Sequence, residues 1–169
     1  MKAIVVYESH WGNTAEVARA VADGLGHGTP ALTTDEATGP ALDGVDLIVA
    51  GAPVIAFSLA RDSSRRQLAG DTKAPVPADV SHPLLRQWLE QLPAGHGRAA
   101  AFETRIWWSP RGATGTIEAK LRKAGYPRLV KGERFIVGGS YGPLKEGELE
   151  RARAWGAELA GLARGEPAG

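Results

Sequence analysis

Ala3-Ile4-Val5-Val6-Tyr7-Glu8-Ser9-His10-Trp11-Gly12-Asn13-Thr14 is the stretch whose reading decides the fold. Its first five residues form an uninterrupted, β-branched apolar run, the pattern of a strand buried on both faces of a parallel sheet. Beyond it Val17, Ala18, Val21, Ala22 and Leu25 recur at three- and four-residue steps, so one face of a helix is apolar. Strand, hydroxyl-rich turn and helix together make an anion site. The first amides of the helix have no partner within it, and its dipole adds partial positive charge there. Ser9 and Thr14 supply hydroxyls, Gly12 lets the backbone approach an oxyanion, and Asn13 tolerates unusual backbone angles and caps or donates. The turn holds no lysine or arginine, so a phosphate here relies on neutral donors and on His10. The same residues also suit an ordinary strand-to-helix turn with capping residues and no ligand.

Working outward, Asp46 to Gly51 repeats the buried-strand pattern and runs into Ala52-Pro53-Val54-Ile55-Ala56-Phe57, which reads as an apolar loop pinned by proline. A weaker strand lies near Pro30 to Thr33, and Arg98 to Phe102 and Phe135 to Gly138 complete a set of five. Helices are expected around Leu84 to Leu92, around Ile117 to Ala124, and from Leu149 to Ala163. Residues 58–80 show no period and carry Arg61, Arg65, Arg66 and Lys73, so they read as a long basic loop. Gly24-Leu25-Gly26-His27-Gly28 fails the spacing of a dinucleotide fingerprint and follows a helix, so it is a helix cap and turn. Alternating strands and helices predict a doubly wound α/β sheet with right-handed crossovers, its ligand site beyond the carboxyl ends of the strands.

Composition narrows the function. The chain has 169 residues, expected as one domain over 1–164 with a frayed tail at 165–169. A net charge of +1 favours neither nucleic acid nor a membrane surface. The absence of cysteine excludes disulfides, iron–sulfur clusters and thiolate chemistry. The four histidines lack metal-ligand spacing, so no metal is expected. No leader or membrane-length apolar run is read, which predicts a cytoplasmic protein. Gly138-Gly139-Ser140-Tyr141-Gly142 matches the esterase nucleophile elbow, but that triad needs a histidine after the serine and all four precede Ser140. No catalytic residue is assigned.

Residues 7–14 resemble the phosphate-binding loop of flavodoxins, in which a Thr/Ser-x-Thr-Gly-Asn-Thr turn wraps the ribityl phosphate of FMN. The likeness extends over nearly the whole chain, and residues 140–152 also resemble flavodoxin-domain proteins. It implies a flavodoxin-like five-stranded parallel sheet of order 2-1-3-4-5 with helices on both faces. It further implies FMN as cofactor, bound by Ser9, His10, Trp11, Gly12, Asn13 and Thr14. The ring would lie between Pro53, Val54, Ile55 and Phe57 on one side and Glu103, Thr104, Arg105, Trp107 and Trp108 on the other. Stacking on a tryptophan adds about 0.5–1.5 kcal/mol beyond area burial. Three departures stand out. Trp11 replaces the middle hydroxyl residue, residues 52–57 contain no glycine, and the chain is not acidic. The second implies a weakly stabilised semiquinone, and the third weakens docking onto basic reductases.

The implied function is electron transfer with a redox partner protein or a small-molecule donor or acceptor, by a monomer or weak homodimer. One alternative is an FMN-dependent NAD(P)H quinone or nitro reductase, its basic 61–73 segment clamping an anion. The other is a flavin-free interaction or sensory domain in which Trp11 fills the phosphate space.

Overall fold

The computed structural model describes residues 1–26 and 28–165. Five parallel strands form one sheet: β1 (Ala3–Tyr7), β2 (Ala31–Thr33), β3 (Leu47–Ile55), β5 (Arg98–Ile106) and β6 (Glu133–Val137). They lie in the order β2-β1-β3-β5-β6, and the two-residue β4 (Ser58–Leu59) folds back antiparallel on β3. With β4 set aside, this is the expected 2-1-3-4-5 arrangement. The helices are α1 (Asn13–Leu25), α2 (Asp62–Ala69), α3 (Leu85–Gln91), α4 (Thr114–Lys123) and α5 (Glu148–Ala163).

Strand alternation sorts the core into two layers. Val5, Val49, Ala100, Phe102 and Phe135 face α1 and α5, where Val17, Val21, Trp155 and Leu159 meet them. Ile4, Val6, Ile48, Ala50 and Ala101 face the other way, onto Leu85, Trp88 and Leu89 of α3 and Ile117 and Leu121 of α4. Phe102, Phe135 and Trp155 pack edge to face with centroids 6.1–6.4 Å apart. Helices α1 and α5 touch through glycine. A Cβ on Gly24 would lie 2.0 Å from the Arg153 carbonyl oxygen, and one on Gly156 would lie 2.2 Å from that of Val21.

Three expectations are corrected. Residues 52–57 are not a loop: β3 continues through Ile55 and turns at Ala56 and Phe57 into β4. Pro53 is tolerated because β3 has by then outrun β1, whose register ends at Gly51, so the missing N–H faces no partner on that side. Glu103 to Ile106 likewise belong to β5, held there by pairing with β6 from Phe102↔Glu133 to Ile106↔Val137. Residues 58–80 are partly regular, with β4 and α2 inside them. Only Ser64 and Leu68 of α2 are buried, too few to show a period.

Helix α1 ends at Leu25 with the Gly26 amide donating to the Ala22 carbonyl, as a cap there requires. His27 and residues 166–169 of the expected tail lie outside the described residues, and Gly165 closes a turn. Among the described residues no helix is long and apolar enough to cross a membrane.

Candidate functional site

The turn from β1 into α1 owes its shape to Gly12, which holds φ +96°, a left-handed conformation that side-chain-bearing residues rarely adopt. Asn13 is the first helical residue and does not cap. Its side-chain amide donates instead to the Tyr141 carbonyl at 3.1 Å, tying the turn to the segment after β6. The Gly12 amide donates to Ser9 Oγ at 3.2 Å, which leaves the Ser9 hydroxyl proton for another acceptor. Thr14 Oγ1 lies 2.8 Å from Thr104 Oγ1, a buried bond that couples α1 to β5. The first-turn amides of α1 point out of this turn with no acceptor inside the helix.

Beneath it lies a buried charged group. His10 Nδ1 faces the Asp79 carbonyl oxygen at 2.8 Å, so that nitrogen donates. Its Nε2 lies 2.9 Å from Glu8 Oε2, while Glu8 Oε1 accepts the Leu85 amide at 2.7 Å. A doubly protonated imidazolium beside a carboxylate satisfies every one of these contacts. Burial works against that cation, but the Glu8 hydrogen bond and charge, with the Asp79 carbonyl, outweigh it and raise the His10 pKa above the ordinary histidine value. The His10–Glu8 pair thus braces the turn from below and ties it to Asp79 and Leu85.

A cleft of about 380 Å³ opens above the carboxyl ends of β1, β3 and β5. That volume is within the range of small-molecule sites, roughly 300–1,000 Å³. Ser9, His10, Trp11, Asn13 and Thr14 line one end, Pro53, Val54, Ile55 and Phe57 one flank, and Thr104, Arg105 and Trp108 the other. A larger hollow of about 740 Å³ lies at the opposite end of the sheet, around Met1, Asp43 and His96. Ligands of open parallel sheets bind at the carboxyl ends of the strands, so the smaller cleft is the candidate site.

Three of the expected residues do not line the cleft. Gly12 shapes the backbone. Glu103 is fully buried below the floor, where Oε2 accepts the Ala113 and Thr114 amides at 2.6 and 2.9 Å and caps α4. Its Oε1 meets Arg105 Nη1 at 3.0 Å, so the Arg105 charge in the cleft wall is already paired. Trp107 is 71 % exposed and turned away, whereas Trp108 packs edge to face on Phe57 with centroids 6.0 Å apart. The turn carrying Phe57 has positive φ at both central residues, 48° at Ala56 and 62° at Phe57. Such turns favour Asn-Gly, and forcing them on Ala and Phe costs about 1–2 kcal/mol each. Backbone strain of this kind concentrates at functional sites.

Tyr141 and Asp71 belong to the cleft and were not anticipated. The Tyr141 ring meets Trp11 edge-on at 4.9 Å, and its hydroxyl donates to Asp71 Oδ2 at 2.8 Å, a bond that lowers the Asp71 pKa and raises that of Tyr141. Trp11 Nε1 donates to the Val76 carbonyl at 3.1 Å, so its indole forms a wall with residues 71–80. Tyr141 falls inside the Gly-x-Ser-x-Gly match, a sequence signal that pointed to different chemistry.

No protein-family model and no curated protein matches this chain. Its structure is similar to that of a flavodoxin from the domain Archaea, at 20% identity and TM-score 0.61 over 97% of this chain and 99% of that one. It is likewise similar to oxidised Flavodoxin 1 from Bacillus cereus, at 16% identity and TM-score 0.65, covering 94% and 97% of the two chains. A WrbA-like flavodoxin from Agrobacterium tumefaciens superposes with TM-score 0.62 at 20% identity over 98% of both chains. At these identities the likeness is one of fold, and the fold is flavodoxin-like.

Proposed function

We propose that this cleft binds FMN and that the protein is an electron carrier. The observation that carries this reading is the convergence of three segments on one cleft of about 380 Å³. They are the turn at the head of α1, the end of β3 with its strained turn, and the end of β5. The residues fit the group. A phosphate dianion suits the first-turn amides of α1 and the Ser9 hydroxyl proton, both His10 nitrogens being engaged by Glu8 and the Asp79 carbonyl. Trp11 does not empty the turn of donors, because its indole is engaged with Val76 and Tyr141 at the rim.

The flat ring system suits the apolar lining that Val54, Ile55, Phe57 and Trp108 give the cleft. Thr104, bonded to Thr14, orients the floor, and Arg105, paired with Glu103, gives the wall a fixed, charge-balanced guanidinium. Bound FMN supplies one- and two-electron chemistry, and the chain supplies binding, exclusion of water and electrostatics.

An absorbance spectrum of the purified chain, taken before and after excess FMN and desalting, tests the reading. A retained flavin band with quenched fluorescence is expected. A colourless protein that fails to hold FMN overturns the carrier and leaves the flavin-free interaction domain, with Trp11 and Tyr141 as the closed rim.

A further inference from the structure

A second hollow, of about 460 Å³, adjoins the cleft and shares Ala56 and Phe57 with it. Ser58, Arg61, Ser63 and Ser64 line it from β4 and the head of α2, and Arg111 and Thr116 from the segment around the start of α4. No carboxylate lines it. Neither the Arg61 nor the Arg111 guanidinium has a hydrogen-bond or ion-pair partner among the described residues. Other arginines around the cleft are spoken for: Arg105 pairs with Glu103, and Arg86 donates to the Leu59 and Ala60 carbonyls. Two free guanidiniums, brought from separate elements and set among hydroxyl donors, amount to a concentrated positive field on a chain whose net charge is only +1. The planar fork of a guanidinium matches phosphate oxygens in pairs.

We propose that this hollow holds the phosphates of a nicotinamide dinucleotide, whose nicotinamide ring passes over Phe57 into the neighbouring cleft. The partition between the two spaces is the two-residue turn itself, with Phe57 37 % exposed at its tip. A ligand that uses both spaces must carry its charge apart from a flat ring, and a dinucleotide does. The assignment of the ring's destination rests on the FMN reading above. The anion subsite itself does not.

Calorimetric titration of the full-length chain with NADP⁺, with and without prior FMN loading, tests the proposal. Saturable binding is expected, weakened at least tenfold in both Arg61→Gln and Arg111→Gln, with FMN affinity within twofold of the parent. Both side chains are exposed, so the variants should fold, and circular dichroism melts check this. NADP⁺ binding that persists while FMN is not retained supports the subsite and sinks the carrier reading alone. A chain that holds FMN but does not bind NADP⁺ overturns the subsite alone. Equal NADP⁺ affinity in parent and variants also overturns it. So does competition by inorganic phosphate at the same concentration as NADP⁺, which makes the hollow a site for bare anions. A loss of FMN affinity in the variants overturns it too, by assigning the hollow to FMN.

Discussion

The α1–α5 layer and the segment between β3 and α3 are held together in different ways. Between α1 and α5 the backbones meet at Gly24 and Gly156, backed by the Phe102, Phe135 and Trp155 cluster. Nothing there moves without overlap. The segment of residues 56–84 has a two-residue strand, a helix with two buried side chains, and an irregular run that crosses the rim of the cleft. Side chains elsewhere in the chain hold it by donating to its main chain: His10 to Asp79, Trp11 to Val76, Arg86 to Leu59 and Ala60. Within it, Arg65 donates to the Val80 carbonyl. One side of the cleft is thus a close-packed scaffold and the other a tethered wall. Sparse apolar burial is what places a segment at the low end of local stability.

The largest expected effect is at the place where scaffold and wall are joined. Glu8→Ala removes the acceptor for both the Leu85 amide and His10 and leaves two buried donors without a partner. It should destabilise by about 4 kcal/mol in urea unfolding. A loss below about 1 kcal/mol would show that the two regions are not locked through this pair.

Next comes Gly156→Ala. Alanine is the better helix former by about 1 kcal/mol, yet its methyl would drive into the Val21 carbonyl, so a net loss of about 2–3 kcal/mol is expected. An unchanged midpoint would mean that α1 and α5 can part, and the contrast between the two regions would fail.

The joint also titrates. Because the folded-state pKa of His10 is raised, its contribution to stability is full below the unfolded value and fades as pH rises through the folded one. Urea midpoints measured upward from about pH 6 should fall with pH in the parent, and that fall should be lost in His10→Gln. A parallel fall in both would assign it to other groups.

The smallest effect, and of opposite sign, belongs to the wall. Ala56→Gly relieves a left-handed residue at φ 48° and should stabilise by about 0.5–1 kcal/mol. A loss of stability there would show that the turn is not strained.

The scaffold was legible because its signals are local. The run Ala3 to Tyr7 and the spacing of Val17, Val21 and Leu25 declare a strand and a helix without reference to anything distant. The wall was not, since α2 buries too little to show a period and Ala56-Phe57 is not a turn dipeptide. Twelve of the fifteen expected site residues line the cleft because the carboxyl ends of neighbouring parallel strands must converge. Glu103 was misplaced for a reason of register. A strand taken to end at Phe102 leaves it in a loop, whereas pairing with β6 keeps it inside, under α4. The Tyr141–Asp71 bond joins residues seventy positions apart, and neither residue has a neighbour in sequence that foretells it.

The tethers to residues 76–80 end on carbonyl oxygens, and every amino acid carries one. Side chains along this rim can therefore be exchanged without cutting its moorings. Pro75 and Pro77 fix two of the main-chain angles while Val76, already 57 % exposed, is free to become anything. The rim is thus an interchangeable part. New recognition of whatever approaches the cleft can be written into it while the floor below stays as it is.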